Sequence, residues 1–364
     1  IMRAQFRMLA IVVVGVTFLA FTRLGAQEGG VCTPLVEQAL SAVSSNCGNL
    51  SPNSVCYGFN RVDATFNQAM PDGFFRAPAD RARLIDLQSI RTVPLSLDTS
   101  EWGVAVMNVQ ANLPGTLPGQ AVTFVLIGDG TLENAVPPGE AATVPNAPVS
   151  VSVATNANIR SAPSPAANVL GWATPGTTYL ADGVSRDLGW LRVAHGSAPA
   201  WLSRSVLGET ANLETLPIID ETRRSPMQAF YFRSGAGSPT CVGEPPATLL
   251  IQGPQNVAVN LSINGVDFVL GSTIALVPTG PQQLSVYVLE GMIDLADGTW
   301  ASQYQAIDFQ LDSKQAIDQT GSVRLMTEDE LKALSYVEML STGLLHYTLN
   351  VPTEAEILAM YQPR

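Results

Sequence analysis

Three short stretches decide the fold of the central part of the chain: ANIRSAP at 157–163, GWLRV at 189–193 and AWLS at 200–203. They combine β-branched residues, leucine and tryptophan with flanking glycine, proline and serine, a pattern typical of short strands joined by tight turns. A small domain of this kind needs bulky side chains to close its core, and Trp190 and Trp201 suit that role. The pattern predicts a β module at about residues 151–208.

This module resembles the bacterial SH3 (SH3b) family. Residues 158–163 (NIRSAP) match the N-[VI]-R-x-x-P opening of that family, and VLG at 169–171 and PGT at 175–177 follow at the expected intervals. The two tryptophan stretches match its last strands, although Ala200 stands where the family has glycine. The resemblance implies a small SH3-like barrel that docks peptides or glycans of the cell wall.

Four side chains are candidates for ligand binding. Trp172 and Tyr179 fall on less constrained strands, where exposed aromatic rings flanking a groove suit stacking on a peptide or glycan. Arg160 is a candidate partner for a carboxylate, with a structural hydrogen bond as the alternative. Trp190 completes the set, with a place in the barrel core as its alternative.

Composition limits the class of protein. The chain has 364 residues, 46% of them apolar and 14% charged, which indicates a globular protein of two or three domains. The formal net charge is −12, and the lysines are restricted to Lys314 and Lys332. Nucleic acid requires clustered cationic side chains, so we expect no binding to nucleic acid.

The N-terminus has the pattern of a signal peptide at residues 1–26. Arg3 and Arg7 precede an apolar run at 8–21, and Leu24-Gly25-Ala26 offers a cleavage site before Gln27. An uncleaved anchor is the alternative, and only in that case do we expect the membrane as a partner. Both readings place the protein outside the cytoplasm, in the extracellular space or the cell envelope.

Four cysteines in an exported chain predict two disulfides, for which three pairings are possible. We prefer Cys47–Cys56, which closes a short loop, and Cys32–Cys241, because closing a long loop restricts the unfolded chain most. The sequence has no CxxC pair and no histidine near these cysteines. We therefore predict no metal site.

The predicted fold class is mainly β and multidomain: an SH3-like small barrel plus β-sandwich-like domains, a short N-terminal helix and a helical C-terminal tail. The N-terminal helix begins at Thr33-Pro34, and the helical period of the tail begins at the N-cap residue Thr327. Strands are expected at 102–109, 121–127 and 227–233. The expected regions are a Cys-containing helical or loop region at 27–84, a β region and linker at 85–150, the module at 151–208, a connecting strand and Cys loop at 209–246, a C-terminal β domain at 247–312 and the tail at 313–364. The similar strands on both sides suggest that 85–150 and 215–245 form one domain into which the module is inserted.

A second, weaker resemblance concerns residues 247–312. VDFVLGST at 266–273 and VLEG at 288–291 resemble strand turns of FecR-type envelope β domains. The layout as a whole resembles uncharacterised exported SH3b-containing bacterial proteins. The FecR resemblance implies an envelope sensor or assembly component that acts through protein–protein contacts.

Catalytic motifs are missing from the sequence. The histidines are limited to His195 and His346, and no HExxH, GxSxG, P-loop or GxGxxG motif occurs. We therefore predict a secreted or cell-envelope binding protein that is not an enzyme and uses no cofactor. Its expected partner is a cell-wall peptide or glycan, or an envelope protein. A cell-wall hydrolase that uses two carboxylates remains the third alternative.

Overall fold

The computed structural model describes residues 32–111, 115–117, 120–142, 148–209, 212–220, 222–235, 241, 243–255, 257–271 and 273–361. The predicted signal peptide at 1–26 lies outside the described residues. The protein is mainly β, as its sequence predicts, with a short N-terminal helix and a C-terminal helix. Within the described residues, no helix combines the length and apolar character needed to cross a bilayer.

The strands, in chain order, are β1 Ser54–Phe59, β2 Val62–Phe66, β3 Arg81–Arg83, β4 Leu87–Thr92, β5 Val104–Val109, β6 Val122–Ile127, β7 Gly130–Asn134, β8 Val149–Ser152, β9 Ala157–Arg160, β10 Val169–Ala173, β11 Thr178–Val184, β12 Trp190–His195, β13 Ala198–Ser203, β14 Ala229–Ser234, β15 Thr248–Gln252, β16 Val259–Ile263, β17 Val266–Leu270, β18 Thr273–Gly280, β19 Gln283–Glu290, β20 Met292–Leu295, β21 Trp300–Ser302, β22 Gln305–Leu311 and β23 Ile317–Leu325. The helices are α1 Thr33–Cys47, α2 Glu328–Leu334 and α3 Glu354–Tyr361. Short 3₁₀ helices lie at Leu84–Asp86, Arg204–Val206, Leu213–Thr215 and Ser335–Met339.

Two large sheets form a sandwich. The nine-stranded sheet has the order β23-β22-β19-β18-β15-β6-β5-β1-β3, and the eight-stranded sheet has the order β2-β4-β7-β14-β16-β17-β20-β21. Their facing side chains form one apolar core. Within it, Phe124 of one sheet meets Phe230 of the other edge to face, with ring centroids 5.3 Å apart.

The nine-stranded sheet is covered on both faces, which explains why its central strands are apolar without alternation. All six residues of β6 and all five of β15 are buried. The side facing away from the sandwich core packs on α1 and on the C-terminal tail. Helix α1 turns Val36, Ala39, Leu40 and Val43 toward the sheet, the spacing from which its sequence predicts a helix.

Strands from both sides of the central module share the sandwich. β6 pairs with β15, and β7 pairs with β14. Residues 247–312 contribute strands to both large sheets. The disulfides join Cys32 to Cys241 and Cys47 to Cys56, which are the pairs preferred from the sequence. The long bridge therefore spans the whole insertion and connects the start of α1 to the segment before β15.

The tail differs from the expectation of a purely helical segment. Its first part is β23, a largely polar strand at the edge of the nine-stranded sheet, in which no residue is fully buried, so it gives little hydrophobic signal. The helical part begins where expected. The Thr327 hydroxyl accepts the N–H of Glu330, and the Glu330 carboxylate accepts the N–H of Thr327, which completes a capping box.

The central module is a separate six-stranded sheet of order β10-β9-β13-β12-β11-β8. In the described strands it is open rather than closed into the barrel that its sequence predicts, with β10 and β8 at its edges. β8 ends at a single bridge from Val153 to Leu207, next to the 3₁₀ turn, and does not pair onward with β10. The module core is small and apolar.

Candidate binding face of the central module

The six-stranded sheet has two chemically different faces. Side chains such as Ile159, Leu191 and Leu202 point into the module core. Successive side chains of a strand point to opposite sides, so the residues between them lie on the other face, which we call the outer face. The outer face therefore includes Arg160 of β9 and Arg192 of β12.

Strand register brings the aromatic and cationic residues of the outer face into rows. Trp201 of β13 lies directly opposite both Arg160 and Arg192, and Trp172 of β10 lies opposite Asn158 of β9. Residues that face each other across a ladder have their side chains on the same side of the sheet. Trp172, Arg160, Trp201 and Arg192 consequently share one face.

A β-bulge adds a carboxylate to this face. The register of β11 and β12 shifts between Ala181 and Gly183, so that Asp182 and Gly183 both lie opposite Arg192. Asp182 accepts two hydrogen bonds from the Arg192 guanidinium, from Nε at 2.9 Å and from Nη2 at 2.7 Å. The Arg192 and Asp182 side chains are 0% and 5% exposed, which makes this a buried, bidentate ion pair.

The chain that leaves the module returns across the outer face. We call residues 212–220 the exit segment. Ile219 is buried against Trp201 and Ala142, and Trp190 packs on the same cluster. The Val184 N–H donates to the carbonyl of Pro217 at 2.9 Å, and the Ile219 N–H donates to the carbonyl of Val184 at 2.8 Å. The exit segment thus pairs in parallel with the end of β11.

A groove of about 380 Å³ lies between the exit segment and the loop that follows β9. Its lining residues are Ser161, Ala162, Pro163, Ser185, Arg186, Trp201, Ile219, Asp220 and Thr222. Arg186, largely exposed, forms an ion pair with Asp220. Hydrogen bonds from Arg186 and from the backbone N–H and hydroxyl of Thr222 lower the pKa of Asp220 to about 2. The groove therefore offers an apolar wall, hydroxyl groups and one charge of each sign.

The four ligand-binding candidates of the sequence fall in different places. Trp172 is 76% exposed, on edge strand β10 of the outer face. Arg160 donates from Nη1 to the carbonyl of Ala167 at 2.7 Å, the structural bond weighed as its alternative. Trp190 is half-buried against the cluster around Ile219. Tyr179 packs on the module core and is not brought together with Trp172.

Sequence reasoning missed Asp182, Arg186 and the exit segment as parts of this face. One local signal was available for the first of these, because Asp182-Gly183 interrupts an otherwise apolar strand, and a glycine inside a strand often marks a bulge. The exit segment gave no such signal, since its position depends on a return of the chain across the module.

A polar contact joins the module to the sandwich. Gln120, which lies just before β6, donates from Nε2 to the carbonyl of Ser197 in the module at 2.7 Å.

Comparison of the chain with protein-family models, with curated proteins and with solved structures finds no match. The SH3b and FecR resemblances therefore stay predictions.

Proposed function

We propose that this chain is a secreted or cell-envelope binding protein without catalytic activity, in which the central module docks a cell-wall peptide or glycan on its outer face. The observation that carries the proposal is the exposure of Trp172 together with Val169 and Leu170 on one edge strand. Exposed apolar side chains that are neighbours on one strand can mark a surface that contacts a partner.

The chemistry of the groove also supports binding. Ligand sites combine an apolar surface with a few polar groups that fix orientation, and the groove has Pro163 and Trp201 beside Arg186 and Asp220. The two disulfides are typical of proteins that work in an oxidising compartment outside the cytoplasm. A wall ligand fits that location.

The test is a pull-down of the purified chain with peptidoglycan sacculi, comparing Trp172→Ala with the parent. We expect about tenfold weaker binding, which corresponds to about 1.4 kcal/mol, an ordinary loss for an aromatic side chain at an interface. Trp300→Ala is the matched control, because Trp300 is 56% exposed on an edge strand of the sandwich. Tyr179 is left intact because its ring contributes to the module core.

Two results would count against the proposal. Equal binding by the parent and by Trp172→Ala would exclude the β10 edge of the outer face as the docking surface. If the folded parent protein does not sediment with sacculi, the cell wall is excluded as the ligand.

A further inference from the structure

The exit segment meets the module as an extended peptide meets a sheet edge. β8 pairs with β11 from Thr178 to Ala181, along the edge of β11 that faces away from β12. Among the described residues, the last part of β11 has no partner strand along that edge. There the backbone of Val184 makes two hydrogen bonds to the exit segment, to Pro217 and from Ile219. Main-chain pairing at an exposed edge is the β-addition mode of peptide recognition.

Side chains of the exit segment alternate as they do in a recognised peptide. Ile218 is 41% exposed, whereas Ile219 is 6% exposed in a pocket formed by Trp201, Ala142 and Trp190. The floor of this pocket is Gly183. A Cβ atom on Gly183 would lie 2.2 Å from Cγ1 of Ile219, so the aliphatic side chain enters only because position 183 has no side chain.

The residue after Ile219 is Asp220, and its contact with the module is electrostatic. Asp220 pairs with Arg186, and Thr222 donates its hydroxyl to the same carboxylate at 2.8 Å. The exit segment therefore presents three features in sequence: an extended backbone, a buried aliphatic side chain and a carboxylate. Each feature has its own partner on the module.

We propose that this part of the outer face is a peptide-binding site for extended segments in which an aliphatic residue precedes an acidic one, and that residues 217–220 occupy it in cis. The inference rests on the proposed function, since it takes the module as the binding unit, and it names the ligand class. A peptide that replaces the exit segment rebuilds the same wall of the adjacent groove. A tethered segment has a local concentration in the millimolar range, so a free peptide competes poorly until the cis contact is weakened.

The experiment titrates a labelled synthetic peptide, ETLPIIDET, the sequence of residues 214–222, into the full chain and follows fluorescence anisotropy. We expect Ile219→Ser, which empties the aliphatic pocket, to bind the peptide at least tenfold more tightly than the parent. Adding Gly183→Ala to that variant should abolish binding, because its Cβ fills the floor of the pocket. Peptides with Ser in place of the second Ile, or Asn in place of Asp, should bind at least tenfold more weakly.

Asp220→Asn provides a second route if Ile219→Ser does not fold, because it removes the ion pair and keeps the buried isoleucine. A third route measures the binding of millimolar peptide to the parent and to the single variant Gly183→Ala, which should bind none. Binding that ignores the Ile→Ser change in the peptide, or no binding by any folded variant, overturns the inference. If the chain binds sacculi but no variant binds the peptide, the peptide site is wrong and the proposed function stands. If the peptide binds and sacculi do not, the peptide site stands and only the wall is excluded as the ligand.

Discussion

The sandwich and the central module differ in where they place their charged side chains. In the sandwich, the space between the sheets is filled by apolar residues, and an ion-pair network such as Arg324 with Asp308 and Glu330 stays partly exposed. The module, in contrast, buries the Arg192–Asp182 pair. Among the buried side chains of the described residues, these two are the charged ones.

We interpret this difference as a division of roles, in which apolar packing stabilises the sandwich and the buried ion pair selects one arrangement of the strands of the module. Apolar burial contributes about 25 cal/mol per Å² and tolerates variation of its residues, which suits a scaffold. A buried ion pair contributes little net stability but is costly to break, because a lone charge is left without water. It therefore fixes the arrangement of the strands that present the outer face.

The first prediction concerns the long disulfide that ties the sandwich across the insertion. The double change Cys32→Ser and Cys241→Ser removes a constraint over 209 residues, and we expect a loss of about 5 kcal/mol in the free energy of unfolding. Urea unfolding measures the loss. Cys47→Ser with Cys56→Ser is the control: its loop of 9 residues predicts about 2.5 kcal/mol. Equal losses would show that loop length does not set the effect.

The sequence predicted those elements of the fold that depend on the pattern of neighbouring residues. The spacing of Val36, Ala39, Leu40 and Val43 predicts α1, and the apolar runs predict β5 and β6. Long-range pairing is not local, which is why no pattern in the sequence indicates that β6 pairs with β15. β23 was missed because its largely polar residues at a sheet edge carry little hydrophobic pattern.

The candidate site follows the same rule. Trp172 was selected as an aromatic residue on a strand; it is exposed, and its role in binding stays a prediction. Tyr179 was selected on the same grounds but packs on the module core. The sequence alone does not show which residues of a short strand with a bulge point to the core, because that depends on the strand register. Ile219 and Asp220 join the face only through the return of the chain.

The second prediction breaks the buried ion pair of the module. Arg192→Met leaves the Asp182 carboxylate buried without its partner, and we expect a loss of about 4 kcal/mol. The double variant with Asp182→Leu should recover most of this stability, since both charges are then gone. Unfolding followed by tryptophan fluorescence reports on the module through Trp190 and Trp201, and on the sandwich through Trp102, which is buried there. A double variant as unstable as the single one would mean that the pair itself contributes most of the stability.

The third prediction uses the partly exposed counterpart in the sandwich and expects the smallest effect. Burial, the largest single influence, raises the pKa values of Glu330 and Asp308. The hydrogen bonds and charge of Arg324, together with hydrogen bonds from the Thr327 backbone to Glu330 and from Ser285 to Asp308, outweigh burial, so both pKa values are lowered. A carboxyl whose pKa is lowered by folding stabilises the protein above its ordinary pKa, and this contribution is lost as the pH falls through the folded value.

Arg324→Gln should therefore be less stable than the parent at pH 7 by about 1 kcal/mol or less, because water screens the network. The difference should shrink toward pH 2, and added salt should reduce it at pH 7. Urea unfolding of both proteins at several pH values measures it, and a difference that stays constant with pH would assign the role of Arg324 to packing of its alkyl chain.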